Sequence, residues 1–495
     1  MRPPRAESGA PLAGGAGRVL IVSNRLPLTA VIGEDGGMEL RRSAGGLATG
    51  LRSVHGQSGG LWIGWSGLTT EAEGEARPEA RRGIAERLRA EGAVAVALSE
   101  AEADGYYHRF SNGVLWPTLH DLPTPRPADR DGWALYRAVN ERFADAVAGQ
   151  LRPGDRVWVH DYHLMLVPRL LRERVPWARI GFFLHIPVPR AETLAGLPEW
   201  RELARGLLGA DVVGVHTREY ARSFVASIPD AAEAPRQPGE SAVVAELRVE
   251  GRRVSVRACP MGIDVGWFES CARTTSVHAQ AAEIRAEGRG PLFVGVDRLD
   301  YTKGIPQRLL AFERLLERDP ALRGRARLIQ VAVPSREDAS GYADVRREVE
   351  TTVARINARF GTVEWVPVEY THASLDPAAL VALYRAADVM LVTPLRDGLN
   401  LVAKEFVASR DDGDGVLVLS ATAGSAAELG AAALLVDAAD VERLTVAYRC
   451  ALSMSAGERR VRMRRLREAV ASNDIADWAS RFLDHLSAPR VRARA

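Results

Sequence analysis

The sequence predicts an α/β protein with two Rossmann-like, doubly wound domains that face each other across a cleft. Three observations predict this fold class. Short runs of β-branched and apolar residues alternate with segments of helical periodicity, which is typical of a parallel sheet. The same alternation begins again after residue 290. The chain of 495 residues is too long for one ordinary core, so two large domains are expected.

The first domain is predicted over residues 18–273, preceded by a disordered tail over 1–17 that is rich in Gly, Ala and Pro. Its candidate strands are "RVLIVS" (18–23), "RVWVH" (156–160), "IGFFLHIP" (180–187) and "DVVGVH" (211–216). Apolar residues recur at helical spacing within 135–151, so a helix is expected there.

The second domain is predicted over 291–473, after a linker and helix at 274–290. Its candidate strands are "LFVGVD" (292–297), "RLIQVAV" (327–333), "VEWVPV" (363–368), "DVMLVTP" (388–394) and "VLVLS" (416–420). Helices are expected near 305–318, 341–358 and 376–386. Residues 474–495 are predicted to form a C-terminal helix and tail that cross back to the first domain. Doubly wound sheets bind ligands at the carboxyl ends of their strands, so the loops after residues 296, 333 and 393 are the expected site.

Composition excludes some classes of function. A formal charge of +2, from 65 basic and 63 acidic residues, favours neither nucleic acid nor an anionic membrane as a partner. The sequence contains no apolar run of about 18 residues and no hydrophobic leader segment. Three scattered cysteines lack both disulfide and metal-ligand spacing, which predicts a reducing, cytoplasmic location.

Only two of the 65 basic residues are lysines, Lys303 and Lys404. Arg298 and Lys303 lie in a short loop between a strand and a helix, where free amides and the helix dipole favour an anion. A diphosphate suits this pair, because arginine offers a planar fork and lysine a compact point charge. Alternatively, both are surface cations that Asp297 and Asp300 neutralise.

The stretch "VTPLRDGLNLVAKEFVAS" (392–409) repeats this arrangement at another strand end. Asp397 is suited to accept hydrogen bonds from a sugar, although it could equally be a helix N-cap. Glu405 is placed to take ribose hydroxyls, and Lys404 could simply pair with a neighbour. The amides at the predicted helix start form a second anion cradle, and they belong to Gly398, Leu399 and Asn400.

Polar residues also follow strands of the first domain. His160, Asp161 and His163 cluster at one strand end, but no third ligand stands at a usable metal spacing, so a metal site is not favoured. His185 lies between apolar residues, as core histidines often do. The glycines of "SAGGL" (43–47) would let backbone approach a ligand closely.

Seven segments together resemble the trehalose-6-phosphate synthase family of retaining glycosyltransferases, over residues 18–487. These segments are "SNRLP" (23–27), "SAGGL" (43–47), "WIGWSG" (62–67), "HDYHLMLVP" (160–168), "GFFLHIPVP" (181–189), "DRLDYTKGIP" (297–306) and "TPLRDGLNLVAKE" (393–405). The resemblance implies the two-domain fold called GT-B and transfer of glucose from GDP- or UDP-glucose to glucose 6-phosphate. It implies neither a cofactor nor a metal.

The resemblance also implies roles for residues. The donor would be bound by Gly46, Arg298, Lys303, Thr371, Asp397, Gly398, Leu399, Asn400, Leu401 and Glu405. The acceptor would be bound by Arg25, Trp65, Tyr107, Trp116, Asp161 and Arg336. The residues closest to the chemistry would be Arg298, Lys303, Asp161 and His185.

The sequence departs from the family pattern at Leu399, where methionine is common, at 120–123, and at Thr371, where leucine is usual. A hydroxyl at 371 could serve a purine edge, so GDP-glucose is expected to be accepted at least as well as UDP-glucose. No phosphatase-like segment follows, so dephosphorylation is expected to belong to another protein.

Three other functions are compatible with parts of the sequence. A relative with another phosphorylated acceptor, such as a glucosylglycerol-phosphate synthase, would share these motifs. A non-catalytic sugar-phosphate-binding regulator would be expected to lose site residues, whereas every matched position is filled. A Rossmann dehydrogenase would carry G-x-G-x-x-G at its first turn, where this chain has "SNRLPL". The sequence leaves open whether the chain forms a homo-oligomer.

Overall fold

The protein is described by a computed structural model that covers residues 17–42, 51, 55–56, 59–122, 129–228, 232–233, 242–335 and 340–487. Two separate β-sheets, each flanked by helices, confirm the predicted fold class. The predicted tail, except for Gly17, lies outside these residues, as do residues 488–495 of the predicted C-terminal tail.

The first sheet has nine strands in the order β5-β4-β1-β6-β7-β8-β11-β10-β9. Its strands are β1 (Val19–Arg25), β4 (Leu61–Trp65), β5 (Ala93–Ala95), β6 (Arg156–His160), β7 (Arg179–Phe183), β8 (Val212–Val215), β9 (Ala232–Glu233), β10 (Val243–Val249) and β11 (Arg252–Ala258). The first seven strands in this order are parallel. The last two, β10 and β9, add to the sheet as antiparallel strands. A separate hairpin pairs β2 (Leu28–Ile32) with β3 (Met38–Arg42).

Helices cover both faces of this sheet. They are α1 (Thr70–Glu75), α2 (Pro78–Ala90), α3 (Glu100–Glu102), α4 (Trp116–Leu119), α5 (Arg130–Ala148), α6 (Val167–Arg174), α7 (Ala191–Ala195), α8 (Trp200–Leu207) and α9 (Arg218–Ala226). A π-helix spans Ala103–Leu115 and a 3-10 turn spans Tyr162–Leu164. Helix α5 begins before the predicted residue 135, because the Asp129 side chain caps it by accepting from the Gly132 amide.

The second sheet has six parallel strands in the order β14-β13-β12-β15-β16-β17. They are β12 (Leu292–Arg298), β13 (Arg327–Val333), β14 (Val368–Thr371), β15 (Val389–Val392), β16 (Val416–Ser420) and β17 (Leu434–Val436). Its helices are α10 (Val265–Ala272), α11 (Thr275–Ala286), α12 (Ile305–Arg318), α13 (Ser340–Phe360), α14 (Pro377–Ala386), α15 (Leu401–Ala408), α16 (Ala426–Leu429), α17 (Val441–Ser453) and α18 (Ala456–Ala471). Two 3-10 turns span Tyr301–Lys303 and Pro320–Leu322.

Two predicted strands differ from the observed ones by four or more residues at one end, and each of these two predicted segments contains a proline. The strand expected over 363–368 begins only at Val368, because Pro367 cannot donate to a ladder and Thr362 pairs locally with Trp365. The strand expected over 180–187 ends at Phe183, ahead of Pro187.

The strand order explains where a ligand can bind. In each sheet the order reverses beside the first strand, between β1 and β6 in the first sheet and between β12 and β15 in the second. A crevice opens at the carboxyl ends of strands at such a reversal. The loops after these four strands carry most of the residues predicted from the sequence, so the fold gathers them into one cleft.

The chain passes between the two sheets in two places, at 259–264 and at 473–475. The two passages touch, since the Ile475 amide donates to the Ile263 carbonyl at 3.0 Å. Helix α10 already shares its core with the second sheet, so packing places the first passage ahead of the predicted boundary at 273. The predicted domain boundaries, 18–273 and 291–473, stay predictions of where each independently folding unit begins and ends.

After the second passage, helix α19 (Ile475–Ser487) packs on the first sheet. Its buried residues recur every three or four positions, which gives one apolar face. The Phe482 ring stacks on Trp158 at a centroid distance of 4.6 Å and occupies a groove above Gly181 and Gly214, where a Cβ would collide with it.

Among the described residues, none of the helices could span a membrane.

We predict that Phe482→Ala lowers the free energy of unfolding by about 3 to 5 kcal/mol, because the groove above the two glycines cannot collapse to fill the cavity. Urea unfolding followed by fluorescence measures this loss. Asp484→Asn on the exposed side of the same helix is the matched control and should change the free energy by less than about 0.5 kcal/mol. Equal effects of the two changes would contradict the packing role of Phe482.

Candidate active site

The loop after β12 turns sharply into helix α12. Asp300 caps the turn by accepting from the Thr302 amide at 2.9 Å. Gly304 has a φ of 64°, and a Cβ there would collide with the Thr393 carbonyl, so only glycine fits this turn. The Leu395 amide donates to the Thr302 carbonyl at 2.7 Å. The loops after β12 and β15 are therefore fixed side by side.

Lys303 and Asp397 join these two loops by a buried ion pair. The Lys303 Nζ lies 2.6 Å from Asp397 Oδ2, and both side chains are largely buried. Burial by itself raises the pKa of the Asp397 carboxyl, but the charge and the hydrogen bond of Lys303 outweigh it, so the pKa falls below its usual value. Asp397 is thus a carboxylate held ready to accept hydrogen bonds.

The alternative in which Asp297 and Asp300 neutralise two surface cations fits neither Asp297 nor Lys303, since Lys303 is buried. Asp297 pairs instead with the fully buried Arg308, whose Nη1 lies 2.6 Å from its Oδ2. Arg308 also donates to Gln330 at 2.8 Å and to the Thr393 hydroxyl at 3.1 Å. This network ties the ends of β12, β13 and β15 together. In the sequence, Arg308 falls on the apolar face of α12. That position was the one indication that this arginine would be buried.

The loop before α15 carries the second predicted anion cradle. Asn400 precedes the helix with a φ of 75°, and its Nδ2 donates to Asp397 Oδ2 at 3.1 Å. Asp397 itself does not cap the helix, so the N-cap alternative is excluded. The amides of the first helical turn have no partner within the helix. Gly398, Leu399, Asn400 and Leu401 lie together at this start.

Glu405 lies one turn further along α15. Its Oε2 accepts the Tyr384 hydroxyl at 2.9 Å. Burial raises the pKa of the Glu405 carboxyl despite this hydrogen bond. Thr371 ends the edge strand β14, half-buried and opposite Val331. Both residues therefore lie on the second domain at the carboxyl side of its sheet.

Arg25, at the end of β1, faces the cleft from the first domain. Its guanidinium lies 4.3 Å from the Trp65 ring centroid, which is a cation–π distance. A Cβ at Gly67 would collide with the same guanidinium, so the "WSG" segment shapes its seat. The Tyr107 ring meets the Trp65 ring edge-on at 6.1 Å and stacks on His163. An exposed cation and an aromatic wall thus meet at this end of the cleft.

Trp116 connects this wall to the second domain. The Arg298 guanidinium lies 5.4 Å from the Trp116 ring centroid, across the cleft. His120 packs on the same ring at 4.1 Å, and its Nδ1 lies 2.8 Å from the Trp116 carbonyl. Burial lowers the pKa of His120 to about 4. His120 was not predicted as a site residue.

Asp161 has a backbone conformation that residues other than glycine rarely adopt, with a φ of 73° and a ψ of 168°. Such strain costs roughly 1 to 3 kcal/mol and concentrates at functional sites. The Asp161 amide donates to the Phe183 carbonyl at 2.8 Å, and the Asp161 carboxylate accepts a hydrogen bond from the His185 amide at 3.2 Å. These bonds hold the Asp161 side chain at the strand end.

Three histidines form a cluster beneath the cleft. His160 Nδ1 lies 3.0 Å from His185 Nε2, and the His216 ring centroid lies 5.6 Å from that of His185. Burial lowers the pKa of all three, to about 3 for His216. Each ring is therefore neutral near pH 7. No pattern in the sequence indicated that the three histidines would meet.

The two domains also touch through the loop at 396–398. Arg396 pairs with Asp121 at 3.2 Å, and the Tyr220 hydroxyl donates to the Asp397 carbonyl at 2.9 Å. A Cβ at Gly398 would collide with the His185 carbonyl. Asp121 belongs to the segment that departs from the family pattern. The loop at 396–398 of the second domain is thus seated directly on the first.

Two predicted site residues, Gly46 and Arg336, lie outside the described residues. Within the part of the chain that the structure describes, no three His, Cys, Asp or Glu side chains converge as metal ligands. His160 and His163, considered for a metal above, contact His185 and Tyr107.

Comparison with known proteins gives a consistent result over nearly the whole chain. The sequence profile of glycosyltransferase family 20 matches residues 17–488. A trehalose-6-phosphate synthase of Mycolicibacterium gilvum is 42% identical, over 94% of this chain and 93% of that protein. A bifunctional trehalose-6-phosphate synthase/phosphatase of Thermoproteus tenax is 43% identical over 94% of this chain, which spans 63% of that relative's length.

A solved structure is also similar. It is an α,α-trehalose-phosphate synthase (UDP-forming) from Burkholderia xenovorans in complex with glucose 6-phosphate. Its sequence is 34% identical and its fold superposes with a TM-score of 0.83, over 95% of this chain and all of that one.

We predict that the buried histidines make the protein sensitive to acid. The pKa of each of four, His120, His160, His185 and His216, lies below 6.5 in the fold. Below that pH the unfolded chain binds protons that the folded chain does not, so stability falls as pH falls. At about pH 5.5 each of these histidines should lower the free energy of unfolding by about 1.4 kcal/mol relative to its value at neutral pH.

Urea unfolding at several pH values gives the free energy of unfolding as a function of pH. The slope of this function gives the number of protons that the chain takes up on unfolding. A slope near four protons per molecule is expected at about pH 5.5, and His120→Asn should remove one of them. A slope below one proton would contradict the neutral state of these rings.

Proposed function

The chain belongs to glycosyltransferase family 20, and on that premise we propose that it transfers glucose from a nucleotide-glucose to glucose 6-phosphate, forming α,α-trehalose 6-phosphate. The observation that carries the proposal is the Lys303–Asp397 pair at the meeting point of two strand-end loops, beside a helix start. Such a site offers cations, amides and a sugar-binding carboxylate within one small volume.

We assign the donor diphosphate to the second domain. Arg298 and Lys303 supply two positive charges, and the amides of the α15 start supply neutral donors for the same oxygens. Lys303 can exchange the Asp397 carboxylate for a phosphate oxygen by rotating its flexible stem. That exchange would leave Asp397 Oδ2 for a sugar hydroxyl.

The remaining donor contacts follow from the same placement. His185, which lies against the loop of Gly398, would contact the donor glucose. Glu405 would bind the ribose, Thr371 would lie beside the base, and Gly46 would approach the donor from the first domain. The close seating of the two domains supports a donor held between them.

We assign the acceptor to the first domain. Arg25 is exposed and stacked on Trp65, and with Tyr107 it would bind the acceptor phosphate. Trp65 and Trp116 would line the sugar pocket, and Asp161 would accept a hydroxyl. Arg336 would complete the phosphate clamp from the second domain.

The chemistry required is mainly electrostatic. When the bond between glucose and diphosphate breaks, negative charge develops on the departing oxygens, and Arg298 and Lys303 neutralise it. The acceptor attacks from the same face, so the configuration is retained without a carboxylate nucleophile of the kind that retaining glycosidases use. Contacts between the domains exclude water, which would otherwise hydrolyse the donor.

The product decides the proposal. With a nucleotide-glucose as donor, we expect mass spectrometry to detect trehalose 6-phosphate from glucose 6-phosphate and no product from glycerol 3-phosphate. The opposite pattern would favour a glucosylglycerol-phosphate synthase. Binding of both sugars without turnover would favour a non-catalytic regulator.

We predict that Lys303→Arg lowers kcat/KM on the order of 10²-fold, as for the loss of one charge stabiliser in the transition state. The buried pocket fits a point charge, and a planar fork cannot rotate between Asp397 and two phosphate oxygens. Arg347→Lys, a charge-conserving change on an exposed helix, should keep the full rate. An unchanged rate in the Lys303 variant would return Lys303 to a structural role.

The donor base gives a separate prediction. The similar structure from Burkholderia xenovorans is described as UDP-forming. In this chain, however, the Thr371 hydroxyl favours a base that can hydrogen-bond to it, since an unpaired hydroxyl there would cost about 1 to 3 kcal/mol. We expect GDP-glucose to be used at least as well as UDP-glucose and Thr371→Leu to shift the preference toward UDP-glucose. Comparing kcat/KM for both donors tests this. A strong preference for UDP-glucose that the substitution leaves unchanged would refute it.

A further inference from the structure

The second lysine of the chain, Lys404, lies at the junction between the two domains. It is the fourth residue of α15, whose first amides form the proposed diphosphate cradle. Its side chain is fully buried, with its Nζ 2.7 Å from the Glu428 carboxylate. The same Nζ donates to the Met261 carbonyl at 2.8 Å. A buried ammonium is tolerated only with such partners, so the contacts of Lys404 are specific.

Met261 belongs to the first passage between the domains. Glu428 is linked to this passage through Lys404 and to the second passage through Asn473. The Glu428 carboxylate also accepts the Asn473 side-chain amide at 3.0 Å. Asn473 donates in turn to the Pro260 carbonyl at 2.8 Å. Lys404 and Asn473 therefore hold two consecutive carbonyls of the passage and share one carboxylate. Any shift of α15 would move the passage with it.

The other side of Met261 faces the histidine cluster. Its amide donates to His216 Nδ1 at 3.4 Å. The His216 ring lies beside His185, the residue proposed to contact the donor glucose. One residue of the passage thus bonds to the cradle helix through its carbonyl and to the histidine cluster through its amide.

We propose that Lys404 is a positioning residue for glucosyl transfer: through Met261 and His216 it fixes the distance between the diphosphate cradle on one domain and His185 on the other. The proposal rests on the proposed function and adds a residue that touches neither substrate. Lysine suits the position because one compact ammonium reaches a carbonyl and a carboxylate at once.

A positioning role and a purely stabilising role predict different kinetics. Misplacing reacting groups by about 1 Å can cost on the order of 10²-fold in rate while binding is kept. A purely stabilising residue would change the melting temperature and leave the kinetics of the folded fraction unaltered. The two roles are separated by removing the Met261 contact without leaving a buried charge unpaired.

The experiment compares three variants with the wild type. Lys404→Met leaves Glu428 buried without its cation and should lower the melting temperature. The double variant K404M/E428Q removes both charges, so stability should largely return, because replacing both partners is far less costly than orphaning one. Glu428→Gln alone keeps Lys404 on the Met261 carbonyl, since an amine that loses its proton by burial still donates.

Kinetics are measured with glucose 6-phosphate and with whichever of UDP-glucose and GDP-glucose the wild type uses faster. We expect the double variant to bind donor within about 3-fold of the wild type, to lose about 10- to 100-fold in kcat, and to release more free glucose per transfer. Glu428→Gln should stay within about 3-fold in kcat.

A double variant with the kcat of Glu428→Gln, or one that does not fold, would assign Lys404 to stability alone and overturn the proposal. A kcat loss that follows donor affinity would overturn it too. If the wild type itself makes no trehalose 6-phosphate, the proposed function fails, and that result is visible before any variant is compared.

Discussion

The buried ion pair between Lys303 and Asp397 is the interaction on which the candidate site depends. A charge removed from water must be paired or solvated by the protein, otherwise burial costs several kcal/mol. The pair meets this requirement and at the same time joins the loops after β12 and β15. Arg308 beneath it performs the same task for Asp297. Two buried cations thus fix the geometry of the second domain's strand ends.

Parallel topology supplies the frame for these charges. Every strand of the second sheet points the same way, so its loops meet at one edge, and the order reverses between β12 and β15. The first sheet repeats this arrangement with β1 and β6. Charge is divided unequally between the two edges: cations and helix amides prevail in the second domain, whereas aromatic rings and neutral histidines prevail in the first. With Arg25 as the cation of the first domain, this division suits a diphosphate on one side and a phosphorylated sugar on the other.

The contacts between the domains show how such a site can exclude water. Loop 396–398 is seated on the first domain by Asp121 and Tyr220. On the far side, the two passages of the chain are joined through Lys404 and Glu428. The cleft is therefore bounded by polar contacts at both ends. Polar contacts of this kind can exchange with water during domain motion more readily than a large apolar interface can.

The sequence by itself determined the fold class and most strands of the parallel sheets, because apolar periodicity and turn residues are local signals. It missed β4, β5, β11 and β17. It also singled out Lys303, Asp397 and Asp161 as residues for chemistry. It misplaced the strand at 363–368, where Pro367 prevails over a β-rich composition.

Only the tertiary structure decided which distant residues meet. The pairing of Asp397 with Lys303, of Arg396 with Asp121, and the histidine cluster join positions that lie 25 to 275 residues apart. The role of Lys404 likewise depends on Met261, 143 residues away. Such contacts leave no periodic trace in the chain, because they arise from the packing of whole domains and not from local backbone preference.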